Sequence, residues 1–268
     1  MLDARRVPKE SCQRVPPNPS NPPDTFAVEA DPFYLEDLRQ MERAHNYRRW
    51  QLSMVAPFVR GDVLEVGGGI GNFTPQLAGL ARSLISLEPN EYCFRQLQEK
   101  IAPVKNTAAH RVTVEALRGV IAPDKKFDAI VLMNVLEHIK DDRAVLAELK
   151  AYLAPGGALV VLVPAGQWAF GPLDVRLGHY RRYTKGYTRA LVAGLQLELA
   201  KMRYYNFVGI WGWWWNAKMG RRASQSDAQI RLFDRWIVPV VARLEGWLAA
   251  PVGQSLLFVA REPAATQP

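Results

Sequence analysis

The sequence predicts an α/β fold: a doubly wound, seven-stranded, mostly parallel sheet, with an N-terminal helical extension and a helical insertion before the last strand. Three observations carry this. Short, almost wholly apolar runs recur at strand length, as expected for strands covered on both faces. Segments with helical spacing separate the first five runs, giving the β-α-β-α alternation of a parallel sheet. The first run leads directly into Gly67-Gly68-Gly69-Ile70-Gly71, a glycine turn between strand and helix.

In chain order, residues 1–24 are rich in proline, asparagine and serine and are expected to form a disordered arm. Residues 25–268 read as one domain: an N-terminal helical cap over 25–60, a ligand-binding core over 61–165 and a substrate-side region over 166–268, with its helical insertion at 206–252. In the cap, Leu38, Met41, Ala44, Tyr47 and Trp50 fall at three-residue steps, which predicts helix over Asp31–Val59. The core strands are predicted at Val63–Val66, Leu84–Leu87, Val112–Val114, Ala129–Met133 and Ala158–Val163. Helices are predicted at Phe73–Ala81, at Glu91–Ile101 and from Asp141 through Leu153. Asp141 and Asp142 supply an N-cap and early negative charge to the last of these, and Pro155-Gly156-Gly157 ends it.

Beyond Pro164 the pattern changes. A polar and aromatic connection over Gln167–Thr184 precedes a helix to Gly194 and a strand at Leu197–Tyr204. A tryptophan-rich stretch at Ile210–Trp215 and a polar loop at Ser224–Ala228 follow. Phe233, Trp236, Ile237, Val240, Val241, Leu244, Trp247 and Leu248 then keep a 3.6-residue period opposite Arg231, Arg235, Arg243 and Glu245. Pro239 should kink that amphipathic helix. Ser255–Ala260 reads as the final strand.

Composition narrows the function classes. The chain has 268 residues, 49% apolar, with two cysteines and a formal net charge of +8. Two cysteines argue against a disulfide framework and for a reducing, cytoplasmic setting. No Cys/His cluster has metal-ligand spacing, so no metal is expected. No apolar run reaches the roughly 18 residues of a membrane span. The positive charge favours acidic partners without choosing among them.

The glycine turn carries the sharpest signal. Its spacing is G-x-G-x-G, with Asn72 where a dinucleotide fingerprint needs its last glycine. Glu88 ends the second strand, 88 − 71 = 17 residues after the last glycine, where a carboxylate can accept the ribose hydroxyls of an adenosine.

Four segments resemble, in order, motifs of the class I (Rossmann-like) S-adenosylmethionine-dependent methyltransferases: Leu64–Gly71, Glu88 after its strand, Phe127–Ile139, and Leu153–Leu159. Asn46–Trp50, Asp174, Gly178–Tyr183 and Gly253–Leu256 further resemble a bacterial methyltransferase subgroup often associated with glycosyltransferases. The resemblance implies S-adenosylmethionine as cofactor and S-adenosylhomocysteine as product. It places Glu65, Gly67, Gly68 and Gly69 at the methionine portion, Glu88 and Pro89 at the ribose, and Asn134 and Val135 along the pocket. Many family members carry an acid after the third strand; here Glu115-Ala116-Leu117 stands there, so backbone groups near Ala116 and Leu117 are expected at the adenine. Tyr47 either reaches the cofactor or packs as a core aromatic.

Methyl transfer needs alignment of nucleophile, methyl and sulfur, and a hydroxyl acceptor also benefits from a base. His138 and His179 are the candidates, each with a structural alternative, and Asp174 either orients His179 or pairs with Arg176 or Arg181. Tyr180, Arg181, Arg182 and Tyr183 could grip an acidic substrate group, with Trp214 in a lid, a membrane contact or an extra core layer. The expected acceptor is a small-molecule or lipid-linked compound methylated at oxygen, with peripheral membrane contact and without nucleic acid. A nicotinamide-dependent oxidoreductase and a non-catalytic cofactor-binding protein are the alternatives.

Overall fold

The computed structural model describes residues 32–211, 231–248 and 250–263. The expected arm at 1–24, the loop at Ser224–Ala228 and Trp214 lie outside the described residues.

Seven strands form one sheet: β1 Asp62–Val66, β2 Ser83–Leu87, β3 Thr107–His110, β4 Phe127–Met133, β5 Leu153–Pro164, β6 Glu198–Tyr205 and β7 Ser255–Arg261. Their order is β3-β2-β1-β4-β5-β7-β6. The first four pairings are parallel, and β7 runs antiparallel to both β5 and β6.

The apolar runs are explained by two cores, one on each face. Along β5, Leu159, Val161 and Val163 enter one core with Leu146, Leu149, Leu191 and Val192. Their neighbours Ala158, Val160 and Leu162 enter the other, with Trp50, Met54, Leu77 and Val241. Strand residues alternate faces, so a strand covered twice must be apolar throughout. Each such side chain removed from water stabilises the fold by roughly 1.5–3 kcal/mol.

The helices are α1 Pro32–Arg43, α2 His45–Val55, α3 Thr74–Ala78, α4 Glu91–Ile101, α5 Asp142–Lys150, α6 Pro172–Arg176, α7 Lys185–Gly194 and α8 Val238–Trp247. The continuous helix expected across residues 31–59 is broken at Ala44 (φ −84°, ψ 70°). Asn90 caps α4 and Asp141 caps α5, each side chain accepting a backbone N–H.

Two expectations are corrected. The third strand is Thr107-Ala108-Ala109-His110, and Val112–Val114 instead leads into a 3-10 turn at Val114–Gly119. An edge strand needs only one covered face, so this segment lacks the apolar run that marks the central strands. The second concerns α8. Trp236, Val240, Leu244, Trp247 and Leu248 are exposed, Trp247 at 88%, while Asp234, Val238, Val241 and Glu245 face inward. The buried acids have specific partners. Asp234 accepts the N–H groups of Asn46 and Tyr47 at the start of α2 (3.1 and 2.8 Å). Glu245 accepts those of Asn206 and Phe207 (3.0 and 2.7 Å), where a helical turn over 207–211 begins. Each acid thus satisfies N–H groups that a helix start leaves unpaired. The disturbance expected at Pro239 appears as a π-helical turn, Phe233–Ile237, just before it.

Candidate functional site

The carboxyl ends of β1, β2 and β4 meet where the strand order reverses, the place where open α/β sheets leave a crevice for ligands. After β1 the chain turns through Gly67 (φ 74°) and Gly69 (φ 55°), a backbone region that disfavours side chains. Close approach adds a second constraint. A Cβ at Gly67 would fall 2.4 Å from Val135 Cγ2, and one at Gly68 would fall 2.3 Å from Ser86 Oγ. The N–H groups of Gly67 and Gly68 both donate to the Leu87 carbonyl, which locks the turn to β2.

Glu88 is buried beside this turn. Its carboxylate accepts the N–H groups of Gly69 (2.8 Å) and Asn90 (2.9 Å). Burial outweighs these bonds and pushes its pKa up to about 7. Glu65, also buried, accepts hydroxyls from Thr74 and Ser86, both at 2.7 Å, and so ties β1 to β2 and α3. Asn134 ends β4 in a left-handed conformation (φ 55°), with its N–H on the Leu162 carbonyl. Val66, Gly67, Leu87, Pro89, Val112–Glu115, Val135 and Ile139 wall a narrow, mostly apolar recess. Ala116 and Leu117 follow it in the 3-10 turn, Leu117 fully within the core. Glycines that admit a close ligand, a carboxylate for a diol and an apolar slot for a planar ring fit an adenosine-bearing cofactor.

A second group of polar side chains stands beside Asn134. The 3-10 turn Leu136–His138 follows β4 and carries Glu137 and His138. The loop after α6 brings in His179, whose ring meets that of His138 edge to face at 4.7 Å between centroids. The Tyr180 N–H donates to the Glu137 carbonyl at 2.8 Å and fastens the two segments together. Asp174 binds His179 Nδ1 at 2.9 Å, so it orients that ring rather than pairing with Arg176 or Arg181. The same carboxylate accepts from Arg182 Nε (2.8 Å) and from the Gly171 N–H (2.9 Å). Burial opposes ionisation of Asp174, yet the His179 bond and the Arg182 charge hold its pKa below the usual carboxylate range. Burial, reinforced by His179, lowers His138 to about 3, so its ring is neutral at physiological pH. Burial raises Glu137 to about 7.

Helix α1 roofs both groups. Leu38 lies 3.6 Å from where a Gly69 Cβ would stand, and Asn72 donates to the Leu38 carbonyl at 3.0 Å. Tyr34 meets the His138 ring at 5.9 Å and is within electrostatic reach of Glu88. Asp37 keeps accessible surface, yet protein crowds it enough that desolvation lifts its carboxyl to about 6, as for a group facing a recess. Sequence reasoning did not single out Tyr34, Asp37 or Glu137. An acid inside the apolar run Val135-Leu136-Glu137-His138-Ile139 was the available signal for Glu137. Nothing local marked the other two.

The residues expected at the substrate divide differently. Tyr180 is exposed. Arg181 binds the carbonyls of Ile139 and Lys140 and pairs with Asp142 (2.9 Å). Arg182 is 3% exposed beneath Asp174. Tyr183 is fully buried, donating to Asp142 at 2.9 Å. Their polar groups hold the post-β4 and post-β5 loops in place. Tyr47 is half-buried, packed edge to face on Trp50 against the core, with its hydroxyl bonded to Ser255 and Asn206.

Comparison with known proteins gives the family and the fold. A family model described as a methyltransferase domain matches residues 38–224. A probable S-adenosylmethionine-dependent methyltransferase of Mycolicibacterium smegmatis is 32% identical over 107 residues, 38% of each chain. The demethylmenaquinone methyltransferase of Tropheryma whipplei is 29% identical over 168 residues, 62% of each chain. The chain therefore spans less than two thirds of the length of these curated relatives. In fold, it is similar to the N-methyltransferase NodS of Bradyrhizobium japonicum in complex with S-adenosylhomocysteine. That structure has a TM-score of 0.53 and 16% identity, covering 87% of this chain and 100% of the other.

Proposed function

Since the chain belongs to the S-adenosylmethionine-dependent methyltransferases, we propose that it transfers the cofactor's methyl group to a hydroxyl oxygen of a small-molecule or lipid-linked acceptor. The observation that carries this reading is the Asp174–His179 pair, held beside His138 and Asn134 at the edge of the cofactor crevice.

The cofactor supplies a methyl already activated by its sulfonium, so the protein's work is placement and exclusion of water. Glu88 would accept from the ribose, and the Gly67–Gly69 turn would let the methionine portion approach the backbone. The acceptor enters from the His179 side. Asp174 occupies Nδ1 of His179, which directs the other nitrogen to the acceptor proton. With S-adenosylmethionine bound, that nitrogen would take up the hydroxyl proton as the acceptor oxygen receives the methyl group, and S-adenosylhomocysteine would be the other product. Helix α1 shields the crevice through Tyr34 and Leu38.

A lipid-linked acceptor is supported by the outer surface. Leu232, Trp236, Val240, Leu244 and Leu248 form an exposed stripe at four-residue spacing, flanked by exposed Arg231, Arg235 and Arg243. Apolar side chains beside arginines suit the interface of an anionic membrane. Among the described residues, no helix is long and apolar enough to cross a membrane.

The deciding experiment is transfer of labelled methyl from S-adenosylmethionine into host extract, fractionated into lipid, polar and macromolecular pools. Label in the lipid or polar pool, stable to mild base and lost in His179→Ala, is the expected result. Label confined to the macromolecular pool would overturn the acceptor class. Tight binding of NAD without binding of S-adenosylmethionine would overturn the reading altogether.

A further inference from the structure

Beside the crevice lies a set of side chains arranged as metal ligands. Glu137, His138 and His179 each offer one ligand atom within 4.8 Å of the others. We propose that these three residues bind a divalent cation that accepts imidazole and carboxylate ligands, such as zinc or manganese, and leave one coordination position open toward the acceptor.

Three observations support a built site. First, Glu137 is 1% exposed and its Oε2 has no hydrogen-bond partner among the described residues. A buried carboxylate oxygen left unpaired is costly, and a cation would satisfy it. Second, each imidazole is held from behind. Asp174 takes Nδ1 of His179 and is itself fixed by Arg182 and Gly171. His138 sets its Nδ1 against Gly178, where a Cβ would stand 3.9 Å away, and is bonded to the Gly178 backbone. Metal-binding histidines are oriented in this manner, one nitrogen on a carboxylate or carbonyl and the other on the metal. Third, the ligand set is two histidines and a carboxylate, the composition of open catalytic zinc sites. Bonds of about 2.1 Å in a tetrahedral site need the donor atoms drawn in by roughly an ångström, a change side-chain rotation can supply.

The site was invisible to ligand spacing because His138 and His179 lie 179 − 138 = 41 residues apart. Only the loop after α6 joins them. Cation binding uses the same His179 nitrogen that would receive a proton in the cation-free enzyme. With the ion bound, the acceptor oxygen would be a ligand, and coordination would lower its pKa.

The test is a calorimetric titration of the chelator-stripped full chain with zinc and, separately, manganese, with S-adenosylmethionine affinity measured on the same samples. The expected result is one ion per chain, bound at least 100-fold more weakly by Glu137→Gln and His179→Ala, and about tenfold more weakly by Asp174→Asn. Unchanged affinity in the ligand variants, or no saturable binding to the wild type, would overturn the site. Should a variant fail to fold, cobalt loading of the wild type decides. Visible bands of cobalt that differ from those of the free aqua ion support the site, and the unchanged aqua-ion spectrum overturns it. Binding is read without turnover, so failure here is distinguishable from failure of the methyl-transfer reading.

Discussion

Glu88 shows how a single residue couples solution conditions to ligand binding. Its pKa of about 7 means that the carboxylate needed by a ribose diol is mostly protonated at pH 6 and mostly ionised at pH 8. S-adenosylmethionine affinity should therefore rise with pH over that interval, by up to roughly tenfold for a single group. Glu88→Gln should flatten the profile and Glu88→Ala should weaken binding throughout; equilibrium titrations at pH 6, 7 and 8 measure both. His179 should act on turnover instead of on cofactor affinity. His179→Ala should lower kcat by 10²–10⁴-fold, the range for loss of a general base, with cofactor affinity within about twofold of wild type. A variant with normal kcat on the true acceptor would remove His179 from the mechanism. At this scale the sequence was readable wherever the signal that places a residue is local. The glycine turn, Glu88 and Asn134 each follow a recognisable strand. Asp174 and His179 are only five residues apart. Arg182 and Tyr183 were not readable, because Asp174 and Asp142 claim them through tertiary contacts that no spacing announces.

At the scale of elements, α8 has two working faces. Periodicity found the apolar stripe of Trp236, Val240, Leu244, Trp247 and Leu248 but put Val241 with it. It could not say that this stripe points outward while Val238 and Val241 face in with Asp234 and Glu245, which meet N–H groups at two helix starts. Asp234→Ala should cost about 1–2 kcal/mol, the usual loss for a missing helix cap, measured as a lowered denaturation midpoint. On the outer face, replacing Trp236, Leu244 and Trp247 with serine should abolish co-sedimentation with vesicles containing anionic lipid while leaving the fold intact. Retained sedimentation would show that this face does not meet the membrane. The third strand teaches the complementary lesson. A half-covered edge strand of threonine, alanine and histidine carries no pattern, whereas the apolar Val112–Val114 imitates one while serving as the wall of the recess.

For the whole molecule, the buried acids set an unusual direction for pH dependence. Glu88 and Glu65 have folded-state pKa values raised by burial, so the folded chain holds protons that the unfolded chain releases. For Glu88 alone, the stability of the cofactor-free protein should then fall as pH rises from about 4.5 to 7, by on the order of 1–3 kcal/mol. Glu137, also raised to about 7, adds to this slope, and His138, lowered to about 3, opposes it below its ordinary pKa. Denaturant titrations of the cofactor-free protein at pH 5, 6 and 7 should show this slope, reduced in Glu88→Gln. The architecture itself was legible almost throughout, because double coverage of the central sheet writes itself into uninterrupted apolar strands. The roof was not, since the side chains that α1 lays over the crevice have no partners nearby in sequence.

The contact between Asp234 and the start of α2 bears on modularity. The insertion that ends in α8 looks like an accessory that could be trimmed to leave a minimal cofactor-binding core. Yet α2 begins after Ala44, which makes no side-chain cap, and its first N–H groups are met by Asp234 from 187–188 residues away. Excising the insertion would leave α2 frayed at its start, the joint with α1 that carries the roof. A trimmed core would need its own graft, Ala44→Asp or Ala44→Ser, to replace from the adjacent residue what the distant helix now lends.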